Sequence, residues 1–192
     1  MGGNLSEIHD AVSRCRRCAG LLDEHRSIPR SGFPPTGNYL AVVNGCEPGQ
    51  AAEGRLTPEQ YRIRFDWRTP NNRNTVRLLF KANHEAGVDW ETLFYTNAVK
   101  CPATPDLAPT CYSHCRGFLQ AQIEALDPRI IVAFGRAADR IGVPRAAKGQ
   151  IIDCTFEGRP CIVVTHPQGA TSAYLAEVGR HVLNRMSSGY RS

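Results

Sequence analysis

A chain of 192 residues with 42% hydrophobic content is long enough to bury one ordinary core, so a single domain over residues 1-192 is expected. No apolar run approaches the roughly 20 residues that cross a bilayer, and MGGNLSEIHDAV lacks a basic-then-apolar leader, so no membrane association and a cytoplasmic location are expected. The net charge of +5 suits a polyanionic partner but does not establish one.

In the segment of roughly 5–22, Leu5, Ile8 and Val12 are spaced as on a helix, and the pattern ends at Cys15-Arg-Arg-Cys18, so a helix running into a cysteine loop is expected. Tyr39-Leu-Ala-Val-Val43 is a short β-rich run that stops at Asn-Gly-Cys-Glu-Pro-Gly, a strand feeding a Gly/Pro loop. Residues 50–74 are polar and arginine-rich, and 75–87 reads as a helix closed by Gly87. A strand over 93–98 follows, then a helix over 115–126 broken by Pro128, then a strand over 130–134 running into Gly135 and a further helix. A hairpin is expected around Glu157-Gly158-Arg159, a strand over 161–165 leads to His166-Pro167, and a last helix spans about 173–186.

Apolar strands alternating with helices, without polar alternation inside the strands, predict an α/β fold whose parallel sheet is covered on both faces. Ligands of such sheets bind where the carboxyl ends of the strands emerge. Four loops at that edge carry Cys46/Glu47, Asn97, Gly135 and His166, which are expected to converge on one crevice.

In a reducing compartment eight cysteines read as metal ligands, reactive groups or small core residues rather than a disulfide framework. Cys15 and Cys18 form a CxxC pair, and thirteen residues separate Cys101 from Cys115, with Cys111 one helical turn before Cys115. Two thiol pairs from distant parts of the chain suffice for one metal centre, and the wide, proline-rich second pair favours an iron–sulfur unit over zinc. Cys154 and Cys161, on strands flanking the hairpin, read as buried free thiols, and His114 as a surface residue.

Thr96-Asn-Ala-Val-Lys-Cys101, the gap to Cys115, the stretch 115–123, Pro128-Arg-Ile-Ile-Val-Ala-Phe-Gly135 and Thr165-His-Pro167 occur in order, preceded by Cys15/Cys18 and the Gly45…Gly49 loop. Together they resemble the iron–sulfur (family four) uracil-DNA glycosylases. The resemblance implies a three-layer α/β/α sandwich with a central, mainly parallel four-stranded sheet. It also implies a [4Fe–4S] cluster on Cys15, Cys18, Cys101 and Cys115 that orders a loop without acting as the catalyst. The implied activity is that of a monofunctional DNA repair glycosylase, monomeric, whose partner is DNA containing uracil or another deaminated base. Asn97 would hydrogen-bond the Watson–Crick edge of the flipped base, Gly45 would line its pocket, and His166 would donate to the uracil O2.

The chemistry makes sense of those groups. A base inside a duplex is unreachable, so it must be extruded at a cost of about a few kcal/mol and read in a shaped pocket. As the N-glycosidic bond breaks, negative charge collects on the base and positive charge on the sugar. A donor such as His166 stabilises the first, and a carboxylate or positioned water serves the second.

The chain departs from the family pattern in three places. The family's first motif is Gly-Glu-Ala-Pro-Gly, whereas this chain has Gly45-Cys46-Glu47-Pro48-Gly49, with Cys46 in the place of the acid. Four readings stay open: Glu47 substitutes through a shifted loop, a water is held by other polar groups, leaving-group stabilisation suffices, or excision is lost. Cys46 as a nucleophile would need a stabilised thiolate, and a thiol that fills a loop is the plainer reading. The base-stacking aromatic is either Phe65 or Trp67, and the arginine-rich 62–77 segment is a candidate DNA-facing surface. After His166, Tyr174 and Leu175 are candidates for a wedge into the duplex, weighed against a place in the core.

Overall fold

The computed structural model describes residues 4–22, 39–43, 93–101, 103, 104, 106–166 and 170–188. Helix α1 (Leu5–Arg14) starts at a capping box, in which Asn4 accepts from the Glu7 backbone N–H and the Glu7 carboxylate accepts from that of Asn4. Ile8 and Val12, one turn apart, supply its buried face. The chain leaves the helix at Cys15, so Cys18 lies beyond it in a turn.

Strand β1 (Tyr39–Val43) runs parallel to β2 (Leu93–Asn97), and helix α2 (Ala108–Leu126) follows. The expected start of α2 at Cys115 is corrected by about two turns. Pro109 stands in its first turn, where a missing N–H costs nothing, so the proline-rich segment opens the helix instead of delaying it. Cys111 and Cys115 are therefore on the same helical face, and both are buried.

Strand β3 (Ile131–Phe134) runs into α3 (Arg136–Ile141), and β4 (Ile151–Phe156) and β5 (Arg159–Val164) form a hairpin before α4 (Ser172–Ser187). Glu157 and Gly158 both have positive φ, 49° and 72°, as a two-residue turn matched to strand twist requires. Glu157 also accepts from Arg116 and Gln120 of α2, which ties the hairpin to that helix.

The sheet has the order β2-β1-β3-β5-β4, in which β2, β1, β3 and β5 are parallel and β4 is antiparallel to β5. The expectation of four strands is thus corrected to five among the described residues. Each hairpin arm is six residues long, and β4 pairs with β5 along its whole length. All four residues of β3 are buried; since successive side chains point to opposite faces, both faces are covered there. The expected helix over 75–87 lies outside the described residues. No described helix is long and apolar enough to cross a membrane.

Register decides what this scaffold brings together. Asn97 pairs with Val43, Val42 with Ala133, and Phe134 with Val164, so the four parallel strands end in one row. Asn97, Gly135 and His166 accordingly lie at the same edge of the sheet. Three strand spacings separate β2 from β5, about 14 Å, which leaves width for a planar ring between side chains reaching in from either side.

Candidate active site

Asn97 is the last residue of β2 and is completely buried. Neither its Oδ1 nor its Nδ2 has a hydrogen-bond partner among the described residues. A buried amide left without partners costs about 1–3 kcal/mol until some other group meets it. It presents one acceptor and two donors from a rigid strand end.

The backbone beneath that amide is fixed by Lys100, which is 1% exposed. Its Nζ donates to Thr96 Oγ1 at 2.6 Å, to the Asn97 carbonyl at 2.7 Å and to Gln122 Oε1 at 2.7 Å. Three acceptors match the three donors of an ammonium. The Thr96 hydroxyl in turn donates to Gln122 Oε1 at 3.0 Å. Nearby, His9 of α1 stacks on Phe94, and its pKa is lowered by burial and then by the Lys100 charge.

At the other side of the row, His166 follows β5 and is half-buried. Thr165, just before it, is clamped three ways. Its N–H donates to Tyr174 Oη, its hydroxyl donates to the Ala147 carbonyl, and that same hydroxyl accepts from the Gly149 N–H. Tyr174 then donates to the Gln150 carbonyl at 2.6 Å. Gly135, whose N–H donates to the Val164 carbonyl, passes directly against His166.

Five cysteines gather where α1 ends, β2 is left and α2 begins. Cys18, Cys101 and Cys111 pack in one buried cluster with Val99 and Ala108. Cys18 and Cys111 share a thiol hydrogen bond, as do Cys101 and Cys115, and Cys15 lies close enough to act on Cys18 electrostatically. The Cys18 thiol is pushed up to about 12 by burial, then by Cys111 and the neighbouring thiols. That of Cys115 is raised by its bond to Cys101 and then by burial, opposed by the Lys100 N–H that donates to its Sγ at 3.4 Å. Among the described residues no three such side chains already stand as a metal cage.

The positions given to Cys15, Cys18, Cys101 and Cys115 are thus gathered into one neighbourhood, and Cys111 joins them. His114 is no surface bystander, because its Nδ1 is 3.4 Å from Cys18 Sγ and its carbonyl accepts from Arg17. Tyr174 and Leu175 are both buried, and the doubly bonded Tyr174 hydroxyl belongs to the core, which removes them as duplex wedges. Cys154 and Cys161 face each other across the hairpin as free thiols, Cys161 buried and Cys154 half-buried. Gly45, Cys46, Glu47, Phe65, Trp67 and the 62–77 segment lie outside the described residues.

Sequence reasoning passed over Lys100, Thr96 and Gln122. A signal was present, since Gln122 falls on the same helical stripe as Leu119, Ile123 and Leu126, and Lys100 stands beside the apolar Ala98-Val99. A polar residue on a buried stripe needs a partner, and here the Gln122 Oε1 accepts from both Lys100 and Thr96, while its Nε2 has no partner among the described residues.

The family model described as the uracil DNA glycosylase superfamily matches residues 42–184. That span runs from the end of β1 to the last helix and includes every parallel strand end in the row. The Type-4 uracil-DNA glycosylase of Sulfurisphaera tokodaii (strain DSM 16993 / JCM 10545 / NBRC 100140 / 7) is 26% identical over 136 residues, which is 69% of this chain and 55% of that protein. The chain therefore spans about half the length of that curated relative. With the match extending over most of the sheet and both site-bearing strand ends, the chain belongs to the uracil-DNA glycosylase superfamily.

Proposed function

We propose that the protein is a monofunctional DNA glycosylase that flips out uracil, or a related deaminated base, and hydrolyses its N-glycosidic bond to leave an abasic site. The observation that carries this reading is the Asn97 amide, fully buried at the carboxyl edge of a parallel sheet, with both polar atoms unpartnered among the described residues. Uracil offers an N–H donor at N3 beside a carbonyl acceptor at O4, which pair with Oδ1 and Nδ2. Cytosine reverses both, so the same amide held in the same direction rejects it.

His166, about three strands away on the same edge, is the donor to O2 as charge builds on the departing base. The rigid clamp on Thr165 and the close approach of Gly135 keep its backbone in place without reorganisation during the reaction. The group that supports the sugar cation is assigned to the first-motif loop, to Glu47 or a water held there beside Cys46.

The chemistry of the thiol group fits a [4Fe–4S] cluster: soft donors, mostly buried, are drawn from two distant segments and pair by contact. Cys15, Cys18, Cys101 and Cys115 would hold it. Bound there, the cluster would crosslink the end of α1 to the segment between β2 and α2. Its role is to order that segment, and the protein groups carry out the reaction. Cys111 packs against Cys18 as the fifth thiol. One domain, DNA as the partner, a monomeric state and a cytoplasmic location complete the reading.

A second reading is favoured by Cys46 in the place of the acid: a lesion-binding protein of the same fold with little or no excision. Single-turnover assays on end-labelled strands carrying uracil, hypoxanthine or xanthine separate the two. An alkali-labile abasic site that is lost about a hundredfold or more in His166→Ala, with DNA binding retained, supports the glycosylase. Tight, uracil-selective binding without any cleavage supports the reader, and neither binding nor cleavage removes both.

A further inference from the structure

We propose that Lys100 is a positioning residue that ties the thiol centre to the base-reading amide of Asn97. This rests on the base-edge role of Asn97 proposed above and extends it to a residue that touches no substrate.

Lys100 spans the gap between the two groups by using both ends of one residue. Its backbone N–H donates to Cys115 Sγ at 3.4 Å, and its ammonium donates to the Asn97 carbonyl at 2.7 Å. Thr96 Oγ1 and Gln122 Oε1 take the other two ammonium donors, which fixes Nζ between β2 and α2. Burying an ammonium costs several kcal/mol before compensation, and a site made only to fill space is served as well by Met or Leu. What the charge adds here is directional: a short, charge-assisted bond holds the peptide plane that carries the Asn97 side chain. Donor and acceptor on that amide distinguish bases only if its direction is fixed, because rotating it by half a turn exchanges them. Movement of the thiol segment therefore reaches the base-reading strand end through Lys100, beside the Thr96–Gln122 bond that joins the same strand and helix.

The test compares wild type, Asn97→Ala and Lys100→Met as purified holoprotein. Four readings are taken on each: affinity for free uracil by titration calorimetry, affinity for an undamaged single-stranded oligonucleotide, iron per chain, and melting temperature. Met keeps the backbone N–H and much of the stem, so the bond to Cys115 survives the substitution. Both variants are expected to bind free uracil about tenfold or more weakly, with oligonucleotide affinity within about twofold and iron unchanged. A merely structural role would lower both affinities together. Wild-type uracil affinity in Lys100→Met while Asn97→Ala loses it overturns the role of Lys100. Wild-type uracil affinity in Asn97→Ala, or none in the wild type, overturns the base-edge reading itself. If Lys100→Met does not accumulate folded, Thr96→Val removes one of the three acceptors and is expected to shift uracil affinity in the same direction; unchanged affinity there overturns the proposal.

Discussion

Gly135 and His166 are in such close approach that a Cβ built on the glycine would stand 2.9 Å from the histidine Cβ. Gly135 also holds φ at 53° with ψ at −120°, a conformation that side chains rarely adopt. Two independent constraints, space and backbone angle, thus demand glycine at the turn from β3 into α3. The residue that gains from the vacancy is the histidine at the end of the neighbouring strand.

Gly135→Ala is accordingly expected to cost about 1–3 kcal/mol of stability through the backbone alone. It should also push His166 outward by a sizeable fraction of an ångström, and a misplacement of about 1 Å costs on the order of a hundredfold in rate. Single-turnover cleavage set beside a denaturant melt checks this. A rate equal to wild type with a lowered melting point would detach His166 from the chemistry.

Tyr174 serves the same histidine from the other side. In Tyr174→Phe the Thr165 N–H loses its acceptor and the Gln150 carbonyl its donor, while packing is preserved. A loss of about 1–2 kcal/mol follows, or roughly 2–8 °C in melting temperature for a chain of this size. Cleavage should slow as well, and calorimetry with a rate measurement reads both.

The thiols give a sharper contrast. Cys101→Ala is expected to lose most of its iron, since it removes a proposed ligand whose side chain lies in contact with both Cys115 and the Cys18 group. Cys111→Ala is expected to keep about four irons and four sulfides per chain and to lose only packing. Iron, acid-labile sulfide and visible absorption on both variants decide the matter. Iron lost from Cys111→Ala and kept in Cys115→Ala would exchange their roles.

Asp153, on the edge strand β4, receives His181 and Arg185 from α4. Burial favours its neutral form, but the bonds from Arg185 and His181 outweigh this and hold the carboxyl below its ordinary 3.8. A depressed folded value means stability that is fully present above about pH 4 and lost as pH falls through that lower value. The site is more than a third exposed, so about 0.2–1 kcal/mol is expected. Melting curves of wild type and Asp153→Asn should differ at pH 6 and converge as pH falls through the lowered Asp153 value, with the gap narrowing in high salt.

Much of this protein was legible from local pattern. The apolar runs at 39–43, 93–97 and 131–134 form strands, as runs without polar alternation do in parallel sheets covered on both faces, and that signal needs no knowledge of partners. The rule that parallel strands end together puts Cys46/Glu47, Asn97, Gly135 and His166 at one edge; the pairing of Asn97 with Val43 and of Phe134 with Val164 places Asn97, Gly135 and His166 there, while Cys46 and Glu47 lie outside the described residues. Other features were decided only by contacts between segments far apart in the chain. Whether Cys18 meets Cys111, whether Tyr174 turns inward to Thr165, and whether Lys100 is sheltered by Gln122 all depend on how helices settle against the sheet. Periodicity marks a face as buried without naming what buries it; a lysine after a strand, a tyrosine opening a helix and a cysteine among prolines each acquire their partners only when the sheet order is set.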